Sequence, residues 1–240
     1  LNACLPPERV QGDPIGLPTP KKEGSAFKIN MLLKKLPALK QSVARPEEVF
    51  EGNIHLDEGY QGMENSYLES MKGQCPTKPP CEIYCHSLTD PSILSPALQN
   101  SGYQTLTLFG LDMPHRLFTD DPEEQRNLAT QRYLDAINQH LAEPIQDCLA
   151  MDADGKPCLS AMSAMDLEER LRLPKGHIFH GDLSWPFTDV EEEIGRWGVE
   201  TQHPRVLVCG SSAKRGGAVS GLPGHNAAMC LLEKLGRSWA

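Results

Sequence analysis

Residues 204–236 read PRVLVCGSSAKRGGAVSGLPGHNAAMCLLEKLG. Val206-Leu207-Val208 is a short β-branched apolar run, the pattern of a strand buried on both faces. Gly210 follows, then Gly216, Gly217, Gly221 and Gly224. The alanine- and leucine-rich stretch from Asn226 to Leu235 reads as a helix, with Gly236 placed as its C-cap. The order over 204–235 is therefore strand, glycine-rich turn, helix. Glycines packed this densely let the backbone approach a ligand with no Cβ atoms in the way. The helix N-terminus then offers unpaired N–H groups and a partial positive charge. In α/β sheets such a unit holds nucleotide cofactors beyond the strand ends. Two plainer possibilities stand beside it. One is an ordinary tight αβ connection. The other is a phosphate loop, but the order GxxxxGK[ST] is not met, because Lys214 precedes the glycine pair. GxGxxG is missing throughout.

The segment CGSSAKRGGAVSGLPGHNAA (209–228) resembles the C-terminal flavin-contacting motif of the phytoene-desaturase-like FAD-dependent oxidoreductases, in particular their pyridine nucleotide-disulfide oxidoreductase domain-containing branch. The glycine pair, the later Gly-x-x-Gly and the Asn-Ala-Ala that opens the helix match in order and spacing. GHIFHGDLS (176–184) resembles the branch's segment ahead of the final strand, and FKINMLL (27–33) its first strand after the chain leaves the FAD domain.

The resemblance implies an α+β architecture. A mixed sheet with helices forms a substrate-type domain over 1–203, and 204–240 is a strand-loop-helix of an incomplete FAD-binding Rossmann-like domain. By the same analogy Gly210 ends the last strand near the ribityl or pyrophosphate, and Gly216 and Gly217 line the flavin. Val219, Gly221, Gly224, His225 and Asn226 complete the cofactor set. The helix dipole then points at the isoalloxazine pyrimidine, which gains negative charge on reduction. The strands near 27–33, 81–87 and 104–112 floor the substrate cavity. No catalytic side chain is assigned, since flavin chemistry needs no protein nucleophile.

The function implied is the C-terminal part of a flavin-dependent oxidoreductase, moving hydride between FAD and an organic, apolar small molecule. The family's GxGxxG half, which grips the ADP end, is absent, so FAD is expected to be held weakly or not at all by this chain alone. The missing FAD-domain half is then an expected partner. The alternative is a non-catalytic orphan substrate-type domain that acts as a binding or protein-interaction module.

Bulk properties narrow the classes further. The chain has 240 residues, of which 39% are hydrophobic, enough for one or two domains with a core. No window approaches eighteen apolar residues, so no transmembrane segment is expected. A net charge of −9 disfavours a nucleic-acid surface, which needs clustered Lys and Arg. No basic-then-apolar leader is visible. Eight cysteines at this length are no disulfide framework. Cys85, Cys148, Cys209 and Cys230 are expected in buried elements as free thiols. An intracellular setting follows, cytoplasmic or mitochondrial matrix.

Along the chain, residues 1–25 are rich in proline and glycine and read as irregular. Ala26–Leu33 alternates, with Phe27, Ile29 and Met31 on one face and Lys28 and Asn30 on the other. Glu64–Lys72 reads as a short helix. Pro79-Pro80 introduces a strand over Cys81–Ser87, whose Cys81, Ile83 and Cys85 share a face, and Gln104–Asp112 is a third strand. Pro122 stands where the first turn of a long helix belongs, capped by Asp120 or Asp121. Leu128, Tyr133, Leu134, Ile137 and Leu141 run along its face until Pro144 kinks or ends it. Ala164–Leu171 is a second helix, closed by Pro174-Lys175-Gly176.

Other constellations carry less. Cys75, Cys81, Cys85 and His86 are spaced C-x5-C-x3-C-H, unlike the paired C-x2-C of structural zinc sites, and no metal is expected. MDADGK (151–156) resembles the start of a calcium loop but lacks its twelfth-position Glu, so a turn is expected. His177, His180 and Asp182 are open to two roles, an acid–base pair or packing beside the cofactor. Ser212 and Ser220 have no GxSxG elbow and no evident histidine-carboxylate order, which disfavours a hydrolase.

Overall fold

The computed structural model describes residues 23–40, 44–180, 188, 190–215 and 219–236. They divide into a larger unit, 23–176, and a smaller one formed from His177 onward. The larger unit is built on five strands: β1 (Phe27–Leu33), β2 (Ile54–Leu56), β3 (Cys81–Tyr84), β4 (Gln104–Gly110) and β5 (Leu159–Met162). Their order is β2-β3-β4-β1-β5. Every pairing is antiparallel, which corrects the expected mixed sheet. Eight helices are present among the described residues: α1 (Pro46–Phe50), α2 (Tyr60–Met71), α3 (His86–Thr89), α4 (Pro96–Asn100), α5 (Pro122–Asn138), α6 (Ile145–Cys148), α7 (Ala164–Leu171) and, in the smaller unit, α8 (Leu222–Lys234).

The period-2 pattern of β1 sends Phe27, Ile29, Met31 and Leu33 into the core. Leu106 and Leu108 of β4 and Cys81 and Ile83 of β3 join them. The long helix α5 contributes Ala129, Tyr133, Leu134 and Ile137 to the same core. Phe27 stacks on Tyr133 at 5.5 Å between ring centroids. Gly110, paired with Phe27 at the end of β4, makes room for that ring: a Cβ there would lie 2.2 Å from the Tyr133 phenol. The phenol in turn donates to the Leu111 carbonyl at 2.8 Å.

Local signals set the helix starts. The Asp121 carboxylate accepts the Glu124 amide at 3.0 Å, with Pro122 in the first turn of α5. Ser163 and Asp166 form a reciprocal capping box on α7. Arg126 of α5 grips Asp166 through two bonds of 3.0 and 2.9 Å, which ties the two helices together.

Several expected boundaries moved. The strand from Cys81 stops at Tyr84, because Cys85 turns the chain into α3. Helix α2 begins four residues early, at Tyr60 behind Gly59. α5 ends at Asn138, and Leu141 instead pairs with Leu39 in an isolated antiparallel bridge. Pro144 leads into α6. In MDADGK, the Asp152 carboxylate accepts the amides of Asp154 and Lys156 at 2.9 Å each, the bonding of a turn.

The largest correction concerns Val206–Val208, expected as a doubly buried strand. Among the described residues it makes only an isolated bridge, Glu200 to Leu207, and only Val208 is buried. A strand buried on both faces needs neighbouring strands to take its ladder bonds, and no described element supplies them.

Candidate functional site

The smaller unit has its own core of Val199, Val208, Ala213, Ala227 and Cys230, with Trp197 and Leu207 packed on it. Ala213 brings the described part of the glycine loop into this core, and Ala227 and Cys230 bring α8. Pro223 occupies the first turn of the helix, and the His225 amide donates to the Gly221 carbonyl at 3.0 Å. Gly221, the N-cap residue, has φ −78° and no side-chain cap.

Glycine at two positions of this loop is not explained by the fold. Among the described residues, a Cβ built on Gly210 or on Gly221 meets no atom within 4 Å, and neither has positive φ. On Gly224 it would make only an ordinary 3.9 Å contact with the Cys209 carbonyl. By contrast, Gly198 is required locally. It has φ +73°, and a Cβ there would lie 2.8 Å from Cγ of Arg215. Val219 is fully exposed. Gly216 and Gly217, expected to line the flavin, lie outside the described residues, as does Asp182.

The two polar residues expected at the cofactor are partly committed elsewhere. Asn226 donates its amide nitrogen to the Trp197 carbonyl at 3.1 Å. His225 meets the Trp197 ring edge-on at 6.2 Å. Trp197 Nε1 donates to Glu233 at 2.8 Å, about two turns further along α8 on the same face. These contacts fasten the first turn of α8 to the segment 190–200.

The same segment holds the other end of the loop. Arg215 donates through Nη1 to the Arg196 carbonyl, and through Nη2 to Thr188 Oγ1 at 3.0 Å and the Glu193 carbonyl at 3.3 Å. Lys214 pairs with Glu193. The Lys214 amide donates to the Gly198 carbonyl at 3.1 Å. Glu200 closes the turn, its carboxylate accepting the amides of Trp197 and Val199 at 3.0 Å each. Partial burial pushes that carboxyl up, but the backbone amides of residues 197–200 outweigh it and hold it below the usual carboxylate range. Sequence reasoning missed Arg215, Gly198 and Glu200. The available signal was the glycine-flanked GRWGVE run (195–200), whose Gly-x-x-Gly spacing marks a turn.

His180 Nδ1 lies 3.2 Å from Ser212 Oγ, so the 176–184 segment and the glycine loop are joined after all, and Ser212 does have a histidine partner. His180 itself sits at φ +64°. His177 receives the Phe179 amide at 3.3 Å and turns its ring toward Phe179. Cys209, expected buried, is exposed, because the strand meant to enclose it does not form. The other three, Cys85, Cys148 and Cys230, are buried.

In the larger unit, the sheet face opposite the core is open. Its register places Tyr84, Thr107, Asn30 and Ser160 on one cross-strand rung, with Thr105 and Leu32 on the next. A groove of about 580 Å³ lies over these rungs, lined among others by Asn30, Leu32, Thr105, Thr107, Cys158 and Ser160. Thr107 Oγ1 donates to Asn30 Oδ1 at 3.1 Å.

At the β2 edge, His55 faces Glu82 across the ladder, and His55 Nδ1 lies 2.5 Å from Glu58 Oε2. Ligand-capable atoms of these three residues lie within 4.8 Å of one another, a grouping that no sequence spacing announced. Cys75, Cys81, Cys85 and His86 do not converge in this way. Burial pushes the Cys81 thiol up to about 12 and the Cys75 thiol up to about 11, far from thiolate character.

No family model matches the chain. It is 45% identical over 228 residues to uncharacterized proteins of Mycobacterium tuberculosis and Mycobacterium bovis, an alignment covering 93% of this chain and 42% of theirs. It is 28% identical over 217 residues to the pyridine nucleotide-disulfide oxidoreductase domain-containing protein 2 of Mus musculus, covering 87% of this chain and 35% of that protein. The rat counterpart is 26% identical over the same length. The chain thus spans less than half the length of the curated relatives it matches, and is a distant homologue of pyridine nucleotide-disulfide oxidoreductase domain-containing protein 2.

Proposed function

We propose that this chain supplies the isoalloxazine-facing part of an FAD site in an oxidoreductase of the phytoene-desaturase-like kind. The observation that carries the reading is the pair Gly210 and Gly221. Neither backbone conformation nor packing demands glycine there, so the bare backbone is kept for an approach from outside the described protein. FAD, when bound, supplies the redox chemistry by exchanging hydride with a substrate carbon. The chain's own residues position it. Gly210, Gly216, Gly217, Val219, Gly221, Gly224 and the backbone of His225 and Asn226 form the binding surface. The first turn of α8 offers its N–H groups to the electron-rich end of the ring. Arg215, Lys214 and Asn226 fix both ends of that loop on the 190–200 segment. The open sheet face of the larger unit serves as the floor for an organic small molecule. The grip on pyrophosphate and ribose comes from a dinucleotide-binding half outside this sequence.

Flavin absorbance after gel filtration tests this. The 240-residue chain purifies colourless. Preceded by a GxGxxG dinucleotide-binding half, it comes through yellow. In that longer protein Gly221→Val lowers flavin occupancy at least about tenfold, the effect of roughly 1.4 kcal/mol lost at the site. A Cβ at Gly221 meets no atom of the described residues within 4 Å, so the variant is expected to stay folded. Full retention of flavin by this variant overturns the assignment.

A second reading, a non-catalytic binding module, rests on Val206–Val208, which forms no ladder with any described strand. Stoichiometric ligand binding at the groove in a longer protein that never takes up flavin would favour it.

A further inference from the structure

The ladder between β2 and β3 gathers ligand-capable side chains at one spot. Ile54 and Leu56 join the core, as do Cys81 and Ile83, so His55 and its cross-strand partner Glu82 stand together on the other face. Asp57 then takes φ +56°, and this turn brings Glu58, just ahead of α2, back onto His55. Gly62 packs beneath the turn, where a Cβ would lie 2.5 Å from the Asp57 carbonyl. Glu58 Oε2 lies 2.5 Å from His55 Nδ1, and Glu82 accepts the Tyr84 hydroxyl. One ligand atom from each of His55, Glu58 and Glu82 falls within 4.8 Å of the other two.

Two further observations point to a cation. Glu58 Oε1 is buried, and among the described residues nothing donates a hydrogen bond to it. A carboxylate oxygen taken out of water without a donor is costly, and such atoms are ordinarily satisfied. A protonated His55 bonded at Oε2 offsets one charge but leaves Oε1 without a donor. In addition, among the described residues no lysine or arginine pairs with Asp57, Glu58 or Glu82. Their field reaches the core: burial is the chief cause of the raised Cys81 thiol, and these three carboxylates add to it.

We propose that His55, Glu58 and Glu82 form a binding site for a divalent transition-metal cation of the zinc or manganese type. The site belongs to the larger unit and does not rest on the flavin reading. The donor set selects the metal class. Calcium and magnesium take oxygen ligands, so an imidazole nitrogen disfavours them. Copper(I) prefers sulfur, and Cys81 faces the core instead. Ligands of one zinc ion, bound at about 2.0–2.2 Å, stand roughly 3–4 Å apart, so small rotations of the two glutamates bring the set onto one ion. With the cation on Nδ1, the His55 proton moves to Nε2. Asn53 Nδ2 lies 3.0 Å from that nitrogen, and turning the amide presents Oδ1 as the acceptor. Tyr84 orients Glu82 in the same way. His55 is exposed, which gives the ion a path in and leaves room for water to complete its coordination. The bound cation clips β2, a three-residue edge strand paired with β3, to the approach of α2.

Calorimetric titration of the EDTA-stripped, chelator-free 240-residue chain with zinc chloride at about pH 7.5 tests the proposal. One equivalent is expected to bind with a Kd below about 50 micromolar. Saturating zinc raises the melting temperature by at least about 3 °C, whereas magnesium and calcium leave it unchanged. Glu58→Gln and His55→Gln keep the far-UV circular dichroism and each weaken zinc binding at least about tenfold. Cys209→Ser, at the exposed thiol, leaves binding intact. In the unsubstituted chain, manganese(II) broadens the amide resonances of His55, Glu58 and Glu82 before those elsewhere, a readout independent of how any variant folds. No binding up to about 500 micromolar zinc overturns the proposal. So does binding that survives both ligand variants, binding lost with Cys209→Ser, manganese broadening centred elsewhere, or an equal response to magnesium or calcium.

Discussion

Asp166 shows how one carboxylate can hold two helices. Burial alone would raise its pKa, but the Ser163 amide and hydroxyl, together with Arg126, keep it below the usual carboxylate range. A carboxyl lowered in the folded state gives stability that is complete above the unfolded value of about 3.9 and is lost as pH falls through the folded value. Asp166→Asn is therefore expected to cost about 2–3 kcal/mol at pH 7, with the deficit against wild type shrinking below about pH 3.5. Urea midpoints at the two pH values measure this, and an equal deficit at both would deny the carboxylate its role. The cysteines give a second check. Cys209 is exposed, whereas Cys81 is fully buried with its thiol near 12. Brief iodoacetamide treatment at pH 8, read by peptide mass spectrometry, should modify Cys209 first and leave Cys81 unmodified until the protein unfolds. Labelling of Cys81 at the rate of Cys209 would show that the sheet does not protect it.

At the scale of the element, β4 and α5 meet at a point with no slack. Gly110 is the only residue type that fits beneath the Tyr133 ring, with a would-be Cβ at 2.2 Å. Gly110→Ala is expected to destabilise the larger unit by about 1–3 kcal/mol through overpacking. A thermal melt checks this, and the double variant with Tyr133→Phe, which leaves the ring in place, should not recover the loss. Elements with strong local signals were legible in advance. β1 announced itself by alternation, β4 by its strand-like run, and α5 by Asp121 and Pro122, while the predicted span Ala164–Leu171 matches α7. β2 and β5 were not legible. At three and four residues they hold too little pattern, and they are strands only because β3 and β1 offer them ladder bonds.

At the scale of the whole molecule, the larger unit has its own sheet, helix layer and core. A chain ending at Gly176 is expected to fold by itself, with a cooperative thermal transition and dispersed amide resonances; a collapsed amide spectrum would contradict this. The sequence by itself determined the alternating strand β1, the capped start of α5, the buried Cys85, Cys148 and Cys230, and the glycine loop ahead of α8. Each depends on a residue and its near neighbours in the chain. Tertiary structure alone decided the remainder. Val206–Val208 has a strand's composition, but among the described residues it finds only the isolated Glu200–Leu207 bridge, so no ladder forms. Asn226 is drawn to the Trp197 carbonyl, Arg215 to the carbonyls of Arg196 and Glu193, and His180 to Ser212, partners that no spacing rule connects. The apolar stripe of α2 faces outward although its periodicity is that of a core helix, because Gly62, Ser66 and Ser70 fit the body and the larger side chains do not. Ladder bonds, close approaches and buried carbonyls are supplied by residues far away in the chain, and their positions exist only once the fold has formed.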